Sequence, residues 1–194
     1  MANVLIACEY SGAVRTEMAA KGHTVTSIDL LPSDDGVSEA WEGTQRHLVG
    51  DVLEHLAEVG AGHYDLLIGF PPCTHLSVSG ARWWPAKRAD GRQQAAVDFF
   101  MALANADVPL IALENPIGYM STAYRKPDCI VQPWQHGHGE QKSTCLWLKG
   151  LPVLAPTNIV EGREQKCWLM PETKDRWKKR STTYAGIAKA MADQ

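Results

Sequence analysis

Short, continuous apolar runs alternate with amphipathic segments along the first two thirds of the chain. Continuous apolar runs predict buried strands, and apolar residues at helical spacing predict helices that cover them. The predicted strands span 4–8, 24–28, 47–49, 64–70 and 109–113. The predicted helices span 13–21 and 93–106. Strands that alternate with helices imply right-handed crossovers, so we expect an α/β fold, Rossmann-like and doubly wound, with a mostly parallel sheet and helices on both faces.

The pattern weakens after residue 129. Apolar stretches at 130–132 and 144–148 predict two further strands, and 184–192 predicts a last helix. The segment 151–173 contains three prolines and is predicted to be mostly loop. We therefore expect a single catalytic domain over 1–194, with a short appendage at 149–180.

Polar or chemically distinctive residues follow most of the predicted strands. In open parallel sheets, ligands bind outside the carboxyl ends of the strands. The residues that fall there are Glu9 to Gly12, Asp29, Asp51, Pro71 to Cys73, and Glu114 to Pro116. The sequence thus places its candidate chemistry along one edge of the sheet.

Composition and charge narrow the classes of function. Hydrophobic residues make up 45% and charged residues 21% of the chain, a balance typical of a soluble globular protein. The net charge of -3 argues against a protein that coats nucleic acid, because such binding needs many cations. The run from Asp175 to Arg180 is a local exception, and it is either a nucleic-acid contact or a solvated helix.

Targeting signals and metal motifs are not found in the sequence. No apolar run approaches the roughly 20 residues that cross a bilayer, and the start does not resemble a signal peptide. We expect a cytoplasmic protein without membrane association. The five cysteines contain no CxxC pair, and His75, Cys129, His136 and His138 match no zinc spacing, so we expect reduced thiols and no metal.

A cysteine follows two prolines at the end of the strand 64–70. Paired prolines stiffen the loop that presents the Cys73 thiol, and thiolates are strong nucleophiles. A buried structural cysteine beside a prolyl turn is the alternative. Glu114, which follows another apolar strand, is a candidate acid because partial burial raises the pKa of a carboxyl. Its alternative is a carboxylate that caps a helix or braces a loop.

Pro71-Pro72-Cys73 and Glu114-Asn115-Pro116 resemble the fourth and sixth motifs of the cytosine-5 DNA methyltransferases. In that family the motif cysteine is the nucleophile, and the glutamate of a Glu-Asn-Val tripeptide engages the cytosine edge. The resemblance implies that Cys73 and Glu114 are catalytic, with proline replacing the usual valine. It also implies four substrate-binding neighbours, namely Pro71, Pro72, Asn115 and Pro116.

The resemblance also implies S-adenosyl-L-methionine as the cofactor. Residues 8–12 occupy the place of the family's first motif, Phe-x-Gly-x-Gly, of which only Gly12 keeps a glycine. Asp29 stands where the family has an acid on the cofactor ribose, and Asp51 where it has one near the adenine amine. The cofactor-binding residues implied are Glu9, Tyr10, Ser11, Gly12, Asp29, Asp51, Val52, Phe70, Pro71, Tyr184 and Gly186.

Two looser likenesses lie near the end of the chain. Gln141, Lys142 and Thr144 are similar to the eighth motif, Gln-x-Arg-x-Arg, and are implied to bind substrate, with Lys142 supplying the charge of the missing arginines. Residues 182–191 are similar to the tenth motif, which completes the cofactor pocket. The likeness covers nearly the whole chain, which resembles short methyltransferase-like proteins of phages and prophages.

The full family carries a large target-recognition region that this chain lacks. Only about 149–180 is available, too little to read a long duplex site through many groove contacts. We expect DNA as the substrate, with a short or relaxed sequence preference or with a partner protein that supplies recognition. The alternatives are an enzyme of the same chemistry on RNA or free nucleotides, and a non-catalytic binding or decoy protein that keeps the fold.

Overall fold

Seven strands pair into one sheet, and helices cover both of its faces. The computed structural model describes residues 1–194. The strands are β1 (Asn3–Ala7), β2 (Thr24–Asp29), β3 (Gln45–Val49), β4 (Leu66–Gly69), β5 (Leu110–Pro116), β6 (Cys129–Val131) and β7 (Thr144–Lys149). The helices are α1 (Ala13–Ala20), α2 (Val52–Val59), α3 (Trp84–Ala89), α4 (Arg92–Ala104), α5 (Met120–Ala123), α6 (Lys166–Leu169), α7 (Arg176–Ser181) and α8 (Ala185–Asp193), with 3-10 turns at Val78–Trp83 and Pro133–Gln135. None of the helices is long and apolar enough to cross a membrane.

The strand order is β3-β2-β1-β4-β5-β7-β6. The first five strands of this order run parallel, and β7 runs antiparallel to both β5 and β6. Because β1 and β4 are neighbours whose crossovers leave in opposite directions, a crevice opens at their carboxyl ends. The predicted fold class, a Rossmann-like, doubly wound and mostly parallel sheet with helices on both faces, is confirmed.

The core lies on both faces of the sheet because the central strands are buried on both sides. Leu5 of β1 packs in a cluster with Phe100 of α4. Its neighbour Ile6 faces the other way and packs with Val14 of α1 and Ala188 of α8. Successive side chains of a strand point to opposite faces. This double burial explains why β1 is a continuous apolar run rather than an alternating one.

Several elements differ from the sequence expectation. β5 continues beyond residue 113 to Pro116, because antiparallel pairing with β7 carries the ladder through Glu114 and Asn115. The pattern did not predict α2, although Asp51 caps it by accepting from the amides of Leu53 (2.7 Å) and Glu54 (3.3 Å). The turn and helix at 78–89 were also missed.

A buried arginine orders the loop that follows β2. Arg15 of α1 is fully buried, pairs with Asp35 and donates to Ser27 Oγ at 2.8 Å. Asp34, next to that pair, donates its backbone amide to Tyr10 O at 2.8 Å. The loop after β2 is thereby held against the loop after β1, along one side of the crevice.

Candidate active site

The crevice between β1 and β4 receives one loop from each strand. Ala7 and Gly69 are register partners at the strand ends, and Phe70 N donates to Ala7 O at 2.9 Å. The chain then turns outward into Pro71, Pro72 and Cys73. The two loops that resemble cofactor and nucleophile motifs therefore leave the sheet side by side.

Cys73 is presented on a short, braced turn. Its carbonyl oxygen accepts from Leu76 N at 3.0 Å and Ser77 N at 2.9 Å, which closes the turn behind the thiol. Asn115 Nδ2 donates to Pro71 O at 2.8 Å from the end of β5. Cys73 is the one exposed cysteine of the five. The residue that sequence reasoning chose as nucleophile is thus fixed in position on a braced turn at the surface of the chain.

The same turn is joined to the loop that follows β5. Val78 N donates to Ile117 O at 3.0 Å, and Tyr119 N donates to Leu76 O at 2.8 Å. Gly118 lies between these contacts, and a Cβ at this position would stand 2.2 Å from Leu76 O. The absence of a side chain is therefore what lets the two loops approach each other.

Burial and nearby charges shift the pKa of both Cys73 and Glu114. Burial raises the pKa of the Cys73 thiol, and the nearby Glu114 carboxylate raises it further. Burial also raises the pKa of Glu114, which favours the protonated acid. The cation of Lys142 lowers the pKa of both groups, and Arg180 lowers that of Cys73. The Cys73 thiol therefore lies within electrostatic range of one carboxyl group and two cations.

Of the three residues in the eighth-motif likeness, Lys142 is the one whose charge affects the pKa of Cys73 and Glu114. Its Nζ donates to Arg180 O at 2.6 Å and lies 5.8 Å from the centroid of the Tyr184 ring. Thr144 is buried and donates to Lys142 O at 3.2 Å, so it braces the turn. Gln141 is exposed, and its backbone amide donates to a carbonyl of the segment 161–165.

Asn115 and Pro116 form the end of β5 rather than a separate loop. Asn115 is only 1% exposed, and its amide nitrogen is used to brace Pro71. Its amide oxygen has no hydrogen-bond partner within the chain. The structure therefore gives Asn115 a bracing contact, and its predicted contact with substrate stays a prediction.

The loop after β1 is organised around Glu9. The Glu9 carboxylate is buried and accepts from Val14 N at 2.7 Å and Arg15 N at 3.2 Å, so it caps α1. Ser11 Oγ lies 3.4 Å from the same carboxylate, and Gly12 adopts a left-handed conformation with φ of 73°. Glu9, predicted to bind the cofactor, is thus placed to shape this loop.

Asp29 and Asp51 lie together with Cys8. Burial and then the charges of these two carboxylates raise the pKa of Cys8 to about 12. Asp29 Oδ1 accepts from Leu31 N at 3.0 Å, while Asp51 Oδ1 caps α2. Leu30, the residue after Asp29, is 75% exposed. The ends of β1, β2 and β3 therefore gather two carboxylates and an exposed apolar side chain in one place.

Val52 and Gly186 are predicted cofactor residues that the structure uses for packing. Val52 is 4% exposed and belongs to the main apolar core. Gly186 allows α8 to approach the segment before β7, since a Cβ there would stand 1.8 Å from His136 O. Tyr184 donates to Glu140 Oε2 at 2.6 Å and lies beside Lys142. Tyr184 and Gly186 are therefore held against the 136–142 segment, while Asp29 and Asp51 gather around Cys8.

The helix α7 lies over the crevice and touches both of its sides. Tyr10 OH is 2.7 Å from Ser181 Oγ, and Lys178 pairs with Asp34 at 3.0 Å. At the same end of the helix, the neighbouring Arg180 O accepts from Lys142 Nζ. Sequence reasoning noted this basic run but did not assign it to the site, because only the tertiary contacts bring it there. Cys8 was also missed, since its positive φ of 59° leaves no mark in the sequence.

We compared the chain with family models, curated proteins and solved structures. No family model matches the chain, and no curated protein matches it. The Entamoeba histolytica methyltransferase EhMeth has a TM-score of 0.49 and 12% identity, with 88% of this chain and 60% of that chain covered. The SAM-dependent methyltransferase NGO1261 from Neisseria gonorrhoeae has a TM-score of 0.44 and 15% identity, with 82% and 63% covered.

A third solved structure, the bifunctional kinase-methyltransferase WbdD, has a TM-score of 0.43 and 17% identity, with 80% of this chain and 36% of that chain covered. The chain thus spans less than two thirds of the length of all three structures. The function proposed for this chain therefore depends on the residues of its own site.

Gly118→Ala tests the close contact between the two loops. The added Cβ meets a backbone oxygen, so we expect the variant to unfold with about 1 to 3 kcal/mol less stability than the wild type. Gly50→Ala is the matched control, because nothing lies within 4 Å of its added Cβ. Thermal unfolding of both variants measures the difference. Two variants of equal stability would show that the loops do not need this contact.

Proposed function

We propose that this chain is an S-adenosylmethionine-dependent methyltransferase that methylates carbon 5 of cytosine in DNA through a covalent bond from Cys73 to carbon 6. The observation that supports this proposal best is the pairing of an exposed thiol with a carboxyl group whose pKa is raised, at neighbouring strand ends. Carbon 5 of cytosine is a weak nucleophile by itself. A thiol and an acid in one pocket are the groups needed to activate it.

The residues at the ends of β2 and β3 fit the proposed cofactor. Asp29 and Asp51 each use one carboxylate oxygen for a backbone amide, which leaves the second oxygen to accept from a hydroxyl or an amine. The exposed side chain of Leu30, which follows Asp29, offers an apolar contact for a base ring. When bound, S-adenosylmethionine supplies an electrophilic methyl group on its sulfonium.

Cys73 and Glu114 carry the proposed reaction. The Cys73 thiolate forms a bond to carbon 6 while Glu114 delivers a proton to ring nitrogen 3, which makes carbon 5 an enamine carbon. Carbon 5 then accepts the methyl group. A base from solvent then removes the proton on carbon 5, and the electron pair of that bond forms the double bond between carbons 5 and 6. The bond to Cys73 breaks in the same step, the sulfur leaves as a thiolate with the electrons of that bond, and ring nitrogen 3 returns its proton to Glu114. In a duplex the base must first leave the stack, at a cost of a few kcal/mol.

The two cations explain how a thiol with a raised pKa reacts. Glu114 and burial both disfavour the Cys73 thiolate, whereas Lys142 and Arg180 favour it. When Glu114 is protonated, its repulsion disappears, and burial alone opposes the two cations. The proton that Glu114 needs as an acid is therefore the same proton that makes Cys73 easier to ionise.

Cys73→Ser tests the proposed nucleophile directly. A hydroxyl is far less ionised than a thiol, so we expect methyl incorporation from labelled S-adenosylmethionine into DNA to fall by at least about 1000-fold. Cys129→Ala is the control, because Cys129 lies in β6 and takes no part in the site. Cytosine-containing RNA and free cytidine nucleotides are offered in parallel.

The outcomes separate the candidate functions. Wild-type incorporation into RNA or nucleotides alone would replace DNA as the substrate, and no incorporation into any of them would favour a non-catalytic binding protein. Full activity in Cys73→Ser would contradict the proposed mechanism.

Lys142→Met tests the electrostatic coupling through the pH profile. A thiol ordinarily has a higher pKa than a carboxyl, so the reactive pair of thiolate and protonated acid produces an acidic limb from Glu114 and an alkaline limb from Cys73. Lys142 lowers the pKa of both groups. Its removal therefore moves both limbs of kcat/KM to higher pH, whereas Lys142→Arg leaves them in place. Limbs that stay unmoved in Lys142→Met would contradict the coupling.

A further inference from the structure

A cationic and aromatic surface borders the site on the side of α7. The stretch from Lys166 to Arg180 contains six cationic and two acidic side chains, in a chain whose net charge is -3. Trp168 is 66% exposed, Leu169 74% and Trp177 51%. Exposed apolar patches that are rimmed by polar residues mark interaction sites. We refer to residues 166–180 as the α7 surface.

The cations of the α7 surface are only partly neutralised within the chain. Lys178 pairs with Asp34, and Arg176 lies 3.4 Å from Glu172. Lys174 and Lys179 are exposed and have no carboxylate partner. An anionic partner can therefore bind these two lysines without breaking an ion pair within the chain.

A second surface of the same composition lies beside Cys73 on α3. The stretch from Arg82 to Arg92 contains four cationic side chains and one acidic one. Trp83 is 56% exposed, with the Arg82 guanidinium 5.0 Å from its ring centroid. Lys87 Nζ donates to Thr74 O at 2.6 Å, which holds this surface against the turn of Cys73. We refer to residues 82–92 as the α3 surface.

Cys73 contacts the α3 surface through its own turn and feels the charge of Arg180 from the α7 surface. Cations along a path of phosphates, with aromatic rings between them, are how proteins hold single-stranded nucleic acid. The indoles of Trp83 and Trp177 favour an unpaired strand over a duplex. They stack on unpaired bases, whereas a closed duplex hides the faces of its bases. The six residues of α7 offer too short a helix to read a groove.

We infer that the target cytosine is presented in an unpaired nucleic-acid strand, which crosses Cys73 from the α3 surface to the α7 surface and stacks flanking bases on Trp83 and Trp177. This inference rests on the proposed function for the identity of the target base. The strand that it describes is held by phosphate contacts and base stacking. Recognition of this kind does not require a target-recognition domain, because every base offers a face for stacking.

The test measures binding without the methyl donor, by fluorescence anisotropy of a short labelled oligonucleotide with one cytosine. The same sequence is offered as an unpaired DNA strand, as an unpaired RNA strand and as a DNA duplex, and anionic lipid vesicles are a further arm. We expect an unpaired strand to bind about tenfold or more tightly than the duplex. Trp177→Ala is expected to weaken that binding roughly tenfold, as loss of one stacked base does.

Trp41→Ala is the matched control. Trp41 is 47% exposed and has the Arg46 guanidinium 4.6 Å from its ring centroid, but it belongs to neither surface and precedes the edge strand β3. We expect this variant to bind like the wild type. Equal or tighter binding of the duplex, equal losses in Trp41→Ala and Trp177→Ala, or binding to vesicles alone would overturn the inference. Preference for either unpaired strand supports it, and the tighter of the two identifies DNA or RNA.

Failure of this inference is distinguishable from failure of the proposed function. Trp177-dependent binding of an unpaired strand without any methyl incorporation would leave the surface in place and remove the reaction. Methyl incorporation that is faster in the duplex than in the unpaired strand would leave the reaction in place and overturn the inference.

Discussion

The site depends on the contact between the turn of Cys73 and the loop that follows β5. Three backbone and side-chain hydrogen bonds join them, from Asn115 to Pro71, from residue 78 to residue 117, and from residue 119 to residue 76. Gly118 makes this approach possible because it has no side chain. The carboxyl ends of two parallel strands are thereby held together, with Cys73 after β4 and Glu114 near the end of β5.

Charged residues near Cys73 set the ionisation of the groups in the site. Glu114 alone would make Cys73 a poorer nucleophile, because it raises the pKa of the thiol. Lys142 acts in the other direction and lowers the pKa of both groups. Lys142 in turn donates to Arg180 O at the C-terminal end of α7, where the neighbouring Ser181 contacts Tyr10 of the proposed cofactor loop. The helix α7 therefore connects the two halves of the crevice, although it belongs to neither.

The sequence predicted the parts of this protein that depend on local pattern. Strands β1, β4 and β5 were predictable because burial on both faces leaves continuous apolar runs, and β2 was predictable because it is rich in β-branched residues. The placement of Cys73 and Glu114 at neighbouring strand ends was predictable because both residues follow continuous apolar runs. The bracing role of Asn115 and the place of α7 were not, since each depends on a partner far away in the chain. The cap that Glu9 forms is local, but the pattern of apolar residues does not indicate it. The helix α2 was a different case, because its capping signal at Asp51 is present in the sequence.

The central claim is that Cys73 forms a covalent bond to the target base, and trapping tests it most directly. A DNA strand that carries 5-fluorocytosine is incubated with the protein and S-adenosylmethionine, because fluorine at carbon 5 blocks the proton loss that releases the enzyme. Peptide mass spectrometry then locates the adduct. The account predicts a methylated fluorocytosine nucleotide on the peptide that contains Cys73. Methyl transfer to normal cytosine without any adduct, or an adduct on the buried Cys145 instead, would contradict it.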